Sequence, residues 1–124
     1  MKIVTSLFMV LVAAATVLPA AEKPKQDAPT AADVSYGPFA ENVLDFWQAE
    51  GEGPRPLLVY IHGGGWTGGD KKQKQARFQP FLDKGISYAA INYRHTGKYP
   101  LPAPVHDAAR AIQFLRTKAD DWNI

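Results

Sequence analysis

The residues with the clearest chemical potential are His62-Gly63-Gly64-Gly65-Trp66, directly behind the apolar run Leu57-Leu58-Val59-Tyr60-Ile61. Glycine lets a chain turn sharply and approach a ligand with no Cβ in the way. A strand that empties into three glycines therefore leaves backbone N–H groups free that a ladder would otherwise consume. Such groups suit an oxyanion, because donors already fixed in place stabilise negative charge as it develops on a carbonyl oxygen.

Other side-chain chemistries are poorly supplied. The chain has no cysteine, which removes disulfides, thiolate metal sites and a cysteine nucleophile together. Its three histidines show neither HxxxH nor HxH spacing, so no metal site and no cofactor is expected. With Lys2 set aside, 13 basic residues stand against 12 acidic ones, and that near-neutral balance argues against a nucleic-acid partner. The one dense basic cluster, Lys71-Lys72-Gln73-Lys74, reads as the solvated start of a helix.

Several elements must position the glycine loop. Val43 to Gln48 mixes aromatic and branched residues as a strand does, and 50–56 breaks the chain as a turn. Five consecutive apolar residues at Leu57–Ile61 predict a strand buried on both faces of a parallel sheet. Lys71 to Lys84 reads as a helix with Asp70 as N-cap, Gly85 as its end and Phe78, Phe81 and Leu82 on its apolar face. Pro80 within it implies either a kink or two short helices. Ile86 to Tyr93 predicts a central strand, Arg94 to Pro104 a loop, and Val105 to Lys118 a helix with Val105, Ala108, Ala109, Ile112 and Leu115 on one face. Tyr60, Tyr93 and Trp122 read as core or rim aromatics. The order predicts a doubly wound α/β sheet, in which the first two of these strands could pair antiparallel.

The segment Leu58-Val59-Tyr60-Ile61-His62-Gly63-Gly64-Gly65-Trp66-Thr67-Gly68-Gly69-Asp70-Lys71 resembles the HGGG loop of α/β-hydrolase lipases and esterases, in particular the carboxylesterase and feruloyl-esterase-like branch. Hormone-sensitive-lipase and kynurenine-formamidase relatives carry close variants of it. Ile91-Asn92-Tyr93-Arg94 and Pro102-Ala103-Pro104-Val105-His106-Asp107-Ala108 are similar to the same branch. The resemblance implies a serine carboxylesterase or lipase acting on a small-molecule ester. Gly64 and Gly65, with Gly63 as a further candidate, would supply oxyanion-hole N–H groups, and His62 would orient the loop. Trp66 would either pack beneath the loop or line the acyl pocket, with packing the expectation.

No Gly-x-Ser-x-Gly occurs in the 124 residues. Ser87 opens a strand instead of standing between strand and helix, so it is read as a strand serine and not a nucleophile elbow. The family order of serine, then acid, then histidine also leaves His95 and His106 without a triad role, and Asp107 is expected to cap the last helix or tie down the Asn92-Tyr93-Arg94 turn. The chain is therefore expected to be the N-terminal portion of an α/β-hydrolase, at 36–124, with nucleophile, acid and base outside it. The alternative is a noncatalytic hydrolase-like fragment or interaction module.

The N-terminus reads as an export signal over residues 1–21. Met1-Lys2 supplies a short positive end, Ile3 to Leu18 is nearly all apolar, and Pro19-Ala20-Ala21 suits a signal peptidase. The apolar run is shorter than the ~20 residues of a spanning helix, so no stable membrane span is expected. Cleavage near Ala20 or Ala21 would give a periplasmic or secreted protein; an uncleaved anchor is the competing reading. Residues 22–35 are expected to form a linker, mobile and rich in proline and charge at its start.

Overall fold

The computed structural model describes residues 28–124. Alternation of side chains along each strand dictates a two-sided sheet. The strands are β1 (Ala31–Ser35), β2 (Val43–Trp47), β3 (Leu57–Ile61) and β4 (Ser87–Ile91), and they lie in the order β1-β2-β4-β3. Leu44 and Phe46 of β2 share one face with Ala89 and Ile91 of β4, and meet Ala111 and Leu115 of helix α2 (Ala103–Thr117). On the opposite face Trp47, Tyr88 and Ala90 meet Phe78 and Leu82. Trp47 stacks on Phe78 with centroids 4.5 Å apart, and Phe46 stacks on Trp122 at 4.4 Å. The result is a helix, sheet, helix sandwich whose central strand, β4, is buried at every position.

Among the described strands only β3 and β4 run parallel, in register from Leu57↔Ser87 to Ile61↔Ile91. β2 pairs antiparallel with β4, which lies between β2 and β3, so the antiparallel pairing of β2 with β3 that the element order left open does not occur. β3 borders the described sheet. Its residues are consequently half-buried rather than enclosed on both faces, and Ile61 is 40% exposed.

The expected linker over 22–35 is corrected at its end. Ala31–Ser35 is strand β1, antiparallel to β2 through Ala31↔Phe46, Val34↔Leu44 and Ser35↔Val43, with an irregularity between the first two pairs. Backbone pairing holds it, with the Asp33 N–H donating to Asp45 Oδ1 at 2.8 Å, while only Ala31 and Val34 pack on the core. Residues 22–27 and the expected signal at 1–21 lie outside the described residues.

Pro80 resolves the alternatives left open for 71–84. A 3-10 segment at Lys71–Arg77 is followed by a short helix α1 at Gln79–Leu82, where the proline falls in the first turn and no intrahelical N–H is needed. Gly85 ends the unit with a left-handed φ of 72°. Helix α2 begins two residues before the expected Val105.

Candidate functional site: the glycine loop at the end of β3

The loop leaves β3 at His62, whose side chain is buried although the three glycines after it are exposed. The His62 ring stacks on Tyr93 with centroids 4.3 Å apart and meets His95 edge-on at 5.7 Å. Its Nδ1–H donates to the Gly63 carbonyl oxygen at 3.0 Å, because that oxygen can only accept.

Three consecutive peptide planes of the loop are held through their carbonyls. The Tyr93 hydroxyl donates to the His62 oxygen at 2.7 Å. His62 Nδ1 holds the Gly63 oxygen. The Gly64 oxygen accepts from the Thr67 N–H at 3.0 Å and the Thr67 hydroxyl at 2.9 Å. A trans peptide is planar, so fixing a carbonyl fixes the N–H of the next residue on the opposite side. The planes fixed this way carry the N–H groups of Gly63, Gly64 and Gly65, and none of those three donates to an acceptor among the described residues.

The exit limb of the loop folds back onto its entry. Gly64, at φ 134°, lies against the Gly68 carbonyl, and Gly69, at φ 109°, lies against His62 Nδ1 and the Gly63 oxygen; a Cβ at either position would overlap those atoms. Past the limb, Asp70 Oδ1 accepts from the Lys72 N–H at 2.8 Å, the expected capping role. Asn92 joins both chains: its Nδ2 donates to Asp70 Oδ2 at 3.0 Å and its Oδ1 accepts from the Lys71 N–H at 2.6 Å. Burial alone would raise the Asp70 carboxyl, but the bonds from Asn92 and Lys72 outweigh it and hold Asp70 below the ordinary 3.8.

Lys71 is not solvated as expected. Its side chain is 2% exposed and its Nζ lies 2.7 Å from both Asp33 Oδ1 and Asp45 Oδ1. Burial disfavours the ammonium, yet bonds to Asp33 and Asp45 outweigh that, leaving Lys71 above its ordinary pKa. The same contact lowers the Asp33 carboxyl, chiefly through the bond from Lys71.

Trp66 is likewise corrected. It is 36% exposed at φ 66°, with its ring edge-on to Tyr93 at 5.2 Å, and its carbonyl accepts from the Thr96 N–H at 2.8 Å. With Ile61, His62, Gly63, Gly64, Gly65 and Tyr93 it lines a hollow of about 410 Å³, so it borders the pocket instead of packing beneath the loop. A smaller apolar hollow of about 200 Å³ lies between β3 and α2, with Arg116 as its one charged lining residue, and lacks the free donors of the glycine loop.

Asp107 ties down the turn after β4 and does not cap α2. Its Oδ2 accepts from Arg94 N at 3.0 Å and Nε at 2.8 Å, and its Oδ1 from Arg94 Nη2 at 2.7 Å. Ser87 is buried and its Oγ accepts from the Ala49 N–H at 3.0 Å. His106 is exposed on α2. Among the described residues there is no cluster of three or more acidic or histidine side chains fit for a metal, and no helix long and apolar enough to cross a membrane.

Known proteins with this architecture are α/β-hydrolases. A truncated form of a carbohydrate esterase from gut microbiota superposes with a TM-score of 0.70 at 24% identity, over 83% of this chain and 39% of that one. A thermophilic esterase from Thermogutta terrifontis does so at 0.64 and 24%, over 73% and 36%. The chain belongs to the BD-FAE family, whose pattern matches residues 44–124. In sequence it is similar to the carboxylic ester hydrolase LipN of Mycobacterium tuberculosis, 37% identical over 68% of this chain and 23% of that protein. It is also similar to esterase LipQ of the same organism, 32% identical over 73% and 23%. The chain thus spans about a quarter of the length of these curated relatives.

Proposed function

We propose that the glycine loop is the oxyanion hole of a carboxylic-ester hydrolase that acts by serine acyl transfer on a small-molecule ester. The observation that carries this reading is the set of three free N–H groups, Gly63 to Gly65, whose peptide planes are each held through the carbonyl. Attack on an ester carbonyl moves negative charge onto its oxygen, and donors that need no reorganisation stabilise that charge by roughly 3 kcal/mol each. Gly64 and Gly65 are the principal donors and Gly63 a further one. His62 and Tyr93 hold the loop, and Trp66 and Ile61 offer apolar surface to the acyl or alcohol group. The names of the relatives, esterases and carboxylic ester hydrolases, support the same chemistry.

Ser87 is not the nucleophile of this reading. Ser87 is enclosed and already bonded to Ala49, and no serine lines the hollow. Export completes the reading: the pattern at 1–21 supports a signal peptide removed near Ala20 or Ala21. Mass spectrometry of the secreted or periplasmic protein should find Ala21 or Glu22 first, and a retained Met1 on a membrane-bound product would refute it. The hole itself is tested by titrating the ¹⁵N-labelled protein with methylphosphonate, a tetrahedral oxyanion. Saturating amide shifts at Gly63 to Gly65 are expected, and an unmoved loop would refute the assignment.

A further inference from the structure

Lys71 is a buried ammonium that the proposed chemistry does not use. It stands two residues past Gly69, the end of the exit limb of the glycine loop, and three contacts fix it: Asp33 of β1, Asp45 of β2 and, through its backbone N–H, Asn92 beyond β4. A second observation links this anchor to the donors. Gly68 and Gly69, just upstream, pack directly on Gly64 and on the His62 to Gly63 contact, so any displacement of the exit limb is transmitted to the peptide planes that carry the Gly64 and Gly65 N–H groups.

We infer that Lys71 is a positioning residue for the oxyanion loop, a tether through which β1 and β2 hold the exit limb against the donor-bearing planes. This rests on the oxyanion reading for its functional meaning, while its structural content can be measured separately. A lysine that merely neutralised Asp45 would support the whole sheet evenly. A tether acts on the loop first.

Lys71→Met alone takes the ammonium away from the buried Asp45 carboxylate and could unfold the protein. Lys71→Met with Asp45→Asn removes both charges, preserving packing while abolishing the tether. In ¹⁵N relaxation of this double variant, order parameters at Gly63 to Gly65 should fall from about 0.85 to below about 0.6, with β2 and β4 unchanged. Hydrogen exchange at the Thr67 amide, bonded to Gly64, should accelerate about tenfold. Asp33→Asn weakens only the solvent-facing limb, whose carboxylate is 64% exposed, and should loosen the loop to an intermediate degree. Wild-type order at Gly63 to Gly65 in the double variant would overturn the inference, and so would an equal loss of order across β2 and β4. Methylphosphonate titration keeps the two readings apart. Affinity should weaken about tenfold in the double variant; a wild-type loop that does not respond at all would remove the oxyanion reading, while the order parameters would still decide the tether.

Discussion

Tyr93 grips His62 twice: the two rings stack at 4.3 Å, and the Tyr93 hydroxyl donates to the His62 carbonyl oxygen at 2.7 Å. The stack orients the imidazole that holds the Gly63 carbonyl, and the hydroxyl fixes the plane that carries the Gly63 N–H. One buried aromatic after β4 thereby sets the entry of the glycine loop that follows β3, and the parallel pairing of those strands brings the two together.

Tyr93→Phe keeps the stack and deletes the hydroxyl. The His62 carbonyl loses its partner, a change of about 1–2 kcal/mol in stability. The largest backbone shift perturbation should fall on Gly63, and uniform shifts across α2 instead would show that the hydroxyl does not act locally.

Gly69 and Gly63 should respond oppositely to alanine. At Gly69 a Cβ would overlap His62 Nδ1 and the Gly63 oxygen at a left-handed φ, whereas at Gly63 it would meet nothing within 4 Å. Gly69→Ala should cost about 2–4 kcal/mol through strain and overpacking, and Gly63→Ala within about 0.5 kcal/mol. Urea unfolding of the two variants checks the contrast, which equal midpoints would contradict.

Much of the site was readable because glycine, proline and apolar runs act locally. The loop at 62–65, the capping Asp70, the break at Pro80 and the strand serine Ser87 all follow from near neighbours. What sequence reasoning missed depends on distant partners. Lys71 looks solvated until Asp33 and Asp45 converge on it, and β1 is hidden because pairing with β2 specifies it while only Ala31 and Val34 add apolar contact. The run Leu57–Ile61 has the composition of an enclosed strand, but its neighbours decide its burial. Tyr93 and Asn92 stood in a segment marked by resemblance, yet their roles as loop clamps needed the pairing of β3 with β4.

Asp107→Asn removes the charge paired with Arg94 and turns one of its two acceptor oxygens into an N–H donor, and should cost about 3–5 kcal/mol, since Asp107 is fully buried. Burial would raise the Asp107 carboxyl, but the bonds from Arg94 outweigh it and hold it below 3.8. A depressed carboxylate contributes stability that is complete above its unfolded value and is lost as pH falls through the lower folded value. Wild-type stability should therefore drop below about pH 4, with a shallower acid limb in Asp107→Asn. Parallel acid limbs in urea midpoints measured against pH would contradict this.

Ser87→Ala leaves the Ala49 N–H unpaired and should cost about 1–3 kcal/mol. The 124-residue protein should hydrolyse p-nitrophenyl acetate no faster than this variant, because Ser87 is enclosed in β4 and absent from the hollow. Turnover abolished by the substitution would make Ser87 a nucleophile.

The most direct test of the glycine loop as an oxyanion site is a crystal structure of the protein with methylphosphonate. A phosphonate oxygen is expected 2.7–3.1 Å from the N–H nitrogens of Gly64 and Gly65, with the His62, Gly63 and Gly64 carbonyls still bonded to Tyr93, His62 and Thr67. An anion bound elsewhere, or a loop whose carbonyls turn to the pocket while its N–H groups turn inward, would contradict the account.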